Sequence, residues 1–138
     1  MYKRQEQDLA ATDARWIVAV SHRPPFSSGT HGDDRQVQEA FLPLFRRHGV
    51  DLVLSGHDHH YERSRPVDGI VYIVTGGGGR GTRAVGENET AAFAERVAHF
   101  VYVTVDHHRL ELHAIDARGK VFDGLRIEKP DDGSTGAR

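Results

Sequence analysis

The densest group of chemically active side chains is the segment 56–60, Gly-His-Asp-His-His, which directly follows an apolar run. The chain holds 10 histidines in 138 residues, and neutral imidazole is the commonest protein ligand for metal ions. In extended backbone His57 and His59 project to the same side, with their side chains roughly 7 Å apart. That spacing suits one ligand for each of two metal ions about 3.5–4 Å apart. The segment therefore predicts metal binding.

A third histidine, His22, follows an earlier apolar run. If both runs are parallel strands, their carboxyl ends lie at the same edge of one sheet, where the active sites of open α/β sheets form. His22, His57 and His59 are then expected to converge. One loop histidine alone is more often an ordinary polar surface residue, but three with this spacing favour a metal site.

The elements that must position these histidines can be predicted from hydrophobic patterning. Residues 16–20, 50–55 and 70–75 are short apolar runs, which are typical of strands buried on both faces. Residues 34–48 have the apolar periodicity of a helix, with acidic residues at the start and basic residues at the end. A helix between the first two strands makes a right-handed βαβ unit with parallel strands possible.

The remaining segments have different sequence patterns. Residues 5–14 favour a short helix, and residues 80–98 predict an irregular loop with one helical turn. From residue 101 to 127 apolar residues alternate with polar ones in three segments, which predicts an antiparallel β-meander. The predicted fold class is α/β (α+β), with a parallel βαβ first half and an antiparallel second half. We expect one domain over 1–128 and a disordered tail over 129–138.

Composition excludes several functional classes. Lys and Arg number 18 against 20 Asp and Glu, for a net charge of -2, so no basic surface for nucleic acid is expected. No apolar run approaches the roughly 20 residues that span a membrane. The absence of cysteine excludes disulfides, cysteine-ligated zinc and a thiol nucleophile. The high share of charged residues predicts a soluble protein. No signal peptide is visible, and the location stays unknown.

Two separated blocks resemble a known family. The segments Trp16–Pro25 and Val50–Pro66 are similar to the carboxyl-terminal motifs of calcineurin-type metallophosphoesterases. Within the second block, Gly-His-Asp-His-His-Tyr-Glu-Arg resembles the Gly-His-x-His-x-Tyr-Glu-Arg motif of purple acid phosphatases. The resemblance covers about residues 5 to 128 and implies a partial metallophosphoesterase β-sandwich. It also implies hydrolysis of small-molecule phosphomonoesters or phosphodiesters at a dinuclear metal site.

The resemblance assigns roles to individual histidines. It implies that His22 and His57 bind one metal ion and that His59 binds the other, with Fe, Zn or Mn as the divalent or trivalent ions. His31 matches a position where the family places a catalytic, substrate-facing histidine near the scissile phosphate. An exposed loop residue without a role is an equally good interpretation of His31.

The sequence also departs from the family. The Asp and Asn-His blocks that supply the other ligands lie upstream in the family and are not found in these 138 residues. We therefore expect the chain to represent the carboxyl-terminal half of the enzyme and to be inactive alone. The missing amino-terminal half, or a second copy, is the expected partner. The alternative is a non-catalytic metal-binding or interaction fragment, or a pseudoenzyme.

Overall fold

The computed structural model describes residues 3–131, which fall into two compact units divided between His99 and Phe100. The first unit contains α1 (Lys3–Ala11), β1 (Val18–Ser21), α2 (Arg35–Arg47), β2 (Leu52–Ser55), β3 (Tyr61–Ser64), β4 (Val71–Thr75) and β5 (Ala91–Glu95). Apart from its first residue, β6 (His99–Val105) lies in the second unit, followed by β7 (Arg109–Asp116) and β8 (Val121–Glu128). The domain bounds expected from the sequence stay a prediction, and residues 132–138 of the expected tail lie outside the described residues.

The five strands of the first unit form one mixed sheet in the order β1-β2-β4-β3-β5. Strands β1 and β2 run parallel, as the βαβ pattern predicts. Strand β4 is parallel to β2, and β3 is antiparallel to β4 and β5. The last residues of β1 and β2, Ser21 and Ser55, are paired, and their hydroxyl oxygens lie 3.0 Å apart. The carboxyl ends of β1 and β2 are therefore neighbours at one edge of the sheet.

Helix α2 connects these two strands and ends where the sequence signals predict. Asp34 is the N-cap residue, and its carboxylate accepts a hydrogen bond from the Val37 N–H at 3.1 Å. After the C-cap residue His48, Gly49 adopts a φ of 67°, the left-handed conformation that commonly ends a helix. Phe45 is buried in a cluster with Val53, so one face of α2 covers the sheet.

The prediction that β1 is buried on both faces is wrong. Its side chains alternate between exposed and half-buried, and Val20 is 78% exposed. The reason is topological, because β1 lies at the edge of the strand order whereas β2 and β4 lie inside it. The central strands are buried as predicted, with Leu52 and Val53 fully inaccessible.

Two strands of this sheet were not predicted from the sequence. Residues 91–95 form β5 within the segment expected to be an irregular loop, so that expectation is wrong. Strand β3 has the polar sequence Tyr-Glu-Arg-Ser, which lacks the apolar run used to identify strands. Its Glu62 is nevertheless buried, because the carboxylate has hydrogen-bond partners inside the protein.

The second unit confirms the predicted meander. Its sheet has the order β6-β7-β8, and β7 pairs with β8 in antiparallel register from Arg109↔Glu128 onward. Leu110, Leu112 and Ala114 point to one side of β7 and are fully buried. Among the described residues, neither helix has the length and apolarity needed to cross a membrane.

Candidate metal centre

Two of the predicted ligands meet at the carboxyl edge of the parallel strands. Nδ1 of His57 lies 3.0 Å from Nε2 of His22, and the two rings are edge-on with their centroids 4.9 Å apart. The loops that hold them are joined by a hydrogen bond from the Gly56 N–H to the His22 carbonyl at 3.1 Å. Parallel pairing of β1 and β2 thus positions the imidazoles.

The local backbone differs from the extended conformation that the spacing argument assumed. His57 has a φ of 64°, and residues 57–60 form a bend that follows β2. The Asp58 N–H donates to the Gly56 carbonyl at 2.8 Å, which closes a tight turn around His57. The expectation that His57 and His59 project side by side from a straight strand is therefore wrong. A left-handed conformation is uncommon for a residue with a side chain, and such residues are enriched at functional sites.

His59 is oriented by a backbone partner. Its Nδ1 lies 3.1 Å from the carbonyl oxygen of Gly81, and only Nδ1–H can donate to that oxygen. The neutral ring then has its lone pair at Nε2. Metal-ligating histidines commonly have this arrangement, in which a carbonyl fixes the tautomer and the orientation of the ring.

His31 reaches the same edge from the loop between β1 and α2. Its ring centroid lies 4.3 Å from that of His57, and 44% of its side chain is exposed. Nδ1 of His31 lies 2.5 Å from Oδ1 of Asp58, a carboxylate that is buried. The other carboxylate oxygen of Asp58 accepts a hydrogen bond from the Ser27 hydroxyl at 2.5 Å. The buried Asp58 carboxylate thus fixes the orientation of the His31 ring.

Asp58 is the residue of this site that sequence reasoning missed. The available signal was a carboxylate between two candidate ligands, His57 and His59. Burial alone would raise the pKa of Asp58, but hydrogen bonds from Ser27 and His31 outweigh it and hold that pKa below its usual value. Asp58 is therefore ionised at neutral pH.

The charge state of His57 also suits a ligand. Desolvation lowers the pKa of His57, and repulsion from His31 and His22 lowers it further. Only the neutral imidazole has a lone pair available for a metal ion. The site therefore favours the form of His57 that can coordinate.

A second buried hydrogen-bond network holds the bend at residues 57–60, which we call the histidine bend. Nε2 of His60 lies 3.0 Å from Oε2 of Glu62, which also accepts hydrogen bonds from the Ser28 backbone N–H and hydroxyl. His60 and Glu62 are both inaccessible to solvent. Burial acts to raise the pKa of Glu62, but these hydrogen bonds lower it overall. The network ties the bend to the loop that carries His31.

Close backbone packing also fixes the bend. A Cβ added at Gly76 would lie 2.0 Å from the Asp58 carbonyl oxygen, and one added at Gly29 would lie 2.7 Å from the Asp58 carboxylate. Both distances are far below van der Waals contact. Asp58 can therefore lie this close to residues 29 and 76 only because both of them are glycine. The glycine run after β4 thus begins with a residue that packs against the site.

A cavity of about 430 Å³ opens beside the imidazoles. Its lining includes His31, His57, Arg23 and Arg35. Arg23 donates to the Asp34 carboxylate at 2.8 Å, and this contact connects the cavity to the start of α2. Asp33 and Asp34 also line this cavity, so its lining holds carboxylates as well as guanidinium groups.

The chain is similar in sequence to known proteins. The family model for calcineurin-like phosphoesterases matches residues 2–61. Acid phosphatase A of Cryphonectria parasitica is 31% identical over 147 residues, covering 90% of this chain and 29% of that protein. Purple acid phosphatase 17 of Arabidopsis thaliana is 36% identical over 74 residues, covering 54% of this chain and 22% of that protein.

A solved structure supports the same relationship. The purple acid phosphatase PPD1 from yellow lupin seeds superimposes with a TM-score of 0.86 at 25% identity. The match covers 92% of this chain and 28% of the lupin chain. The chain therefore spans less than a third of the length of these relatives.

Proposed function

The chain belongs to the calcineurin-like phosphoesterases, in their purple acid phosphatase branch, and we propose that it supplies the last metal ligands of a dinuclear phosphoester hydrolase. The observation that carries this proposal is the 3.0 Å approach of His57 Nδ1 to His22 Nε2 at the carboxyl edge of the parallel strands. This separation is close to the roughly 3.4 Å between two neighbouring ligand nitrogens of one tetrahedral zinc ion, so one ion can bind both imidazoles. His22 and His57 are assigned to one metal ion and His59 to the other.

The donor set fits a transition metal. Imidazole nitrogens suit Zn, Fe and related ions better than Mg or Ca. The lowered pKa of His57 favours its neutral ring, and the Gly81 carbonyl holds the Nδ1 proton of His59, which leaves Nε2 as the atom that can coordinate. When bound, two such ions supply a nucleophilic water at neutral pH and neutralise the charge of the phosphoryl group. We propose Fe, Zn or Mn as the ions.

His31 is proposed as the proton donor to the leaving alkoxide oxygen. Its Nδ1 is engaged by Asp58, so Nε2 is the nitrogen available to a substrate. The buried carboxylate behind the ring fixes the direction in which the imidazole points. Asp58 acts through His31 and is assigned a positioning role.

The cavity lined by Arg23 and Arg35 is proposed to receive the phosphoester. Guanidinium groups match the oxygens of a phosphate in charge and geometry. Because His31 and His57 line the same cavity, a phosphate there would lie next to the proposed ligands and the proton donor. Phosphomonoesters and phosphodiesters of small molecules are the proposed substrates.

A second candidate function is a metal-binding or interaction module without catalysis. The carboxylate nearest to the imidazoles, Asp58, is already engaged by Ser27 and His31 and is not free to bridge two ions. Two dications without a bridging anion repel each other strongly at about 4 Å. We therefore propose that the 138-residue chain alone does not hydrolyse phosphoesters at a rate near that of complete enzymes. The missing amino-terminal half is its proposed partner.

Zinc binding tests the proposal. Titration calorimetry of the purified chain should detect a site that weakens at least about tenfold in His57→Ala, because a direct ligand is lost. His113→Ala removes an exposed histidine of the second unit and is the matched control, with unchanged binding at this site. Equal effects of the two variants would contradict the assignment.

Turnover of p-nitrophenyl phosphate separates the two candidate functions. The chain alone should bind metal without robust hydrolysis. Hydrolysis that appears when an amino-terminal half of a purple acid phosphatase is added, and disappears again in His57→Ala, would support a contribution to catalysis. Robust metal-dependent hydrolysis by the isolated chain would contradict the proposed incompleteness.

A further inference from the structure

The second unit holds a separate cluster of metal-ligating groups. We propose that His107, His108 and Asp131 form a second metal site, selective for Zn²⁺ and related divalent transition metals. One nitrogen of each imidazole and one carboxylate oxygen all lie within 4.8 Å of one another. All three residues are exposed, so an ion can enter from solvent without a change of fold.

The distances between the ligand atoms fit a small ion. Asp131 Oδ1 lies 3.7 Å from His107 Nε2 and 3.5 Å from His108 Nδ1. A tetrahedral zinc ion with ligands at 2.0–2.2 Å separates neighbouring ligand atoms by about 3.4 Å. Both distances to Asp131 are slightly longer than this value, so side-chain rotations that bring the ligand atoms closer together would close the cluster around an ion.

The backbone holds these side chains at one end of the meander. Asp106 accepts hydrogen bonds at 2.8 Å from the backbone N–H groups of both His108 and Arg109, which fixes the turn between β6 and β7. The Lys129 N–H donates to the His108 carbonyl at 2.8 Å, two residues before Asp131. The turn and the segment after β8 are thus joined independently of any metal, so the three ligands are partly preorganised.

The charged side chains around the His107, His108 and Asp131 cluster are compatible with a bound cation. A cavity of about 680 Å³ beside the cluster is lined by basic and acidic side chains together. Arg109 forms ion pairs with Asp106 and Glu111, and Arg126 forms one with Glu128 at 2.6 Å. Since these guanidinium groups are paired with carboxylates, the positive charge facing an incoming ion is reduced.

The ligand types indicate the metal and the role. Two imidazoles and one carboxylate favour Zn²⁺, Ni²⁺ or Cu²⁺ over Mg²⁺ and Ca²⁺, which prefer oxygen ligands. Water would complete the coordination because the cluster is open to solvent. An ion there would link the β6–β7 turn to the chain that leaves β8, and would stabilise the second unit by binding only its folded form.

Site-resolved NMR on the full chain tests this site apart from the imidazoles of the first unit. Zinc should shift the backbone amide signals of residues 106–109 and 129–131, with an affinity that falls at least about tenfold in His108→Ala and in Asp131→Asn. His113→Ala, an exposed histidine on β7, is the control and should leave that affinity unchanged. Mg²⁺ at the same concentration should cause no such shifts.

The outcome is decisive in either direction because exposed substitutions here leave the fold intact, which the amide spectrum itself verifies. Loss of the 106–109 response in His108→Ala, with the response at the first unit unchanged, would support the second site. No response to excess zinc, or a response that His108→Ala and Asp131→Asn leave unchanged, would overturn it. Neither result depends on the proposed hydrolase function.

Discussion

Nδ1 of His31 lies 2.5 Å from Oδ1 of Asp58, and the carboxylate is buried while the imidazole is 44% exposed. An anion inside the protein thus holds a ring that reaches into solvent beside His57. The pair connects two loops that follow different strands, β1 and β2. Its geometry leads to the first prediction.

Asp58→Asn should release His31 from its fixed tautomer. An amide attracts the Nδ1–H far less than a carboxylate does, so the fraction of His31 protonated at Nδ1 should fall. The free energy of unfolding should drop by about 1–3 kcal/mol because buried hydrogen bonds are weakened. ¹⁵N spectra of the imidazole in metal-free protein report the tautomer. Asp51→Asn, whose carboxylate accepts from the Ile17 N–H at 2.8 Å, is the control and should leave His31 unchanged.

Gly76→Ala should destabilise the first unit strongly. The new Cβ would meet the Asp58 carbonyl oxygen at 2.0 Å, which forces the histidine bend away from β4. We expect a loss of at least about 2 kcal/mol in urea unfolding, together with weaker zinc binding. Gly79→Ala has nothing within 4 Å of its Cβ and should change both quantities little. Similar losses for the two variants would show that packing at Asp58 is not the cause.

Asp34→Ala should lower the free energy of unfolding by about 1 kcal/mol through loss of the α2 cap. Hydrogen bonds from Arg23 and the Val37 N–H hold the pKa of Asp34 below its ordinary value. This stabilisation is therefore present above the unfolded pKa and is lost as the pH falls through the folded pKa. Urea unfolding over a series of pH values from about 6 to about 2 should show a difference between wild type and variant that shrinks as the pH falls. A difference that does not depend on pH would contradict the ionic origin.

The edge of β1 should make the chain self-associate. This four-residue strand ends the sheet order, and its exposed Val18 and Val20 leave apolar surface beside unpaired backbone groups. Val20→Lys should shift sedimentation toward the monomer, because a charge on an edge strand opposes pairing. Gln36→Lys adds the same charge on α2 and should not. A monodisperse wild-type monomer would contradict this prediction.

Hydrophobic patterning was sufficient to predict the helices and strands whose apolar residues form one continuous run or recur at one regular spacing. The apolar runs in β2 and β4 and the helical spacing in α2 lead directly to parallel strands and to the meeting of His22 with His57. Strand β3 escaped prediction because its buried polar side chain, Glu62, is compensated by partners distant in sequence. The burial of β1 was overestimated for a similar reason, since the position of a strand in the sheet is a property of the topology.

The site was predictable in residue type but not in local geometry. The spacing of His57 and His59 identified the right loop, yet the turn that reverses His57 depends on Gly76 approaching the Asp58 carbonyl. Likewise the pairing of Asp58 with His31 joins residues 27 positions apart. Contacts of this kind are set by how loops pack, which a local pattern does not specify.

The most direct test of the central claim is a ¹⁵N histidine spectrum of the chain as zinc is added. We expect ring nitrogens of His22, His57 and His59 to shift to metal-bound values, with Nε2 as the bound atom of His59 because its Nδ1 is held by the Gly81 carbonyl. His31 should keep its Nδ1 proton on Asp58 and should not coordinate. The experiment is run with His108→Ala, so that a second site does not compete. If these three rings keep their metal-free signals while zinc binds elsewhere, the assignment of this edge as a metal centre is contradicted.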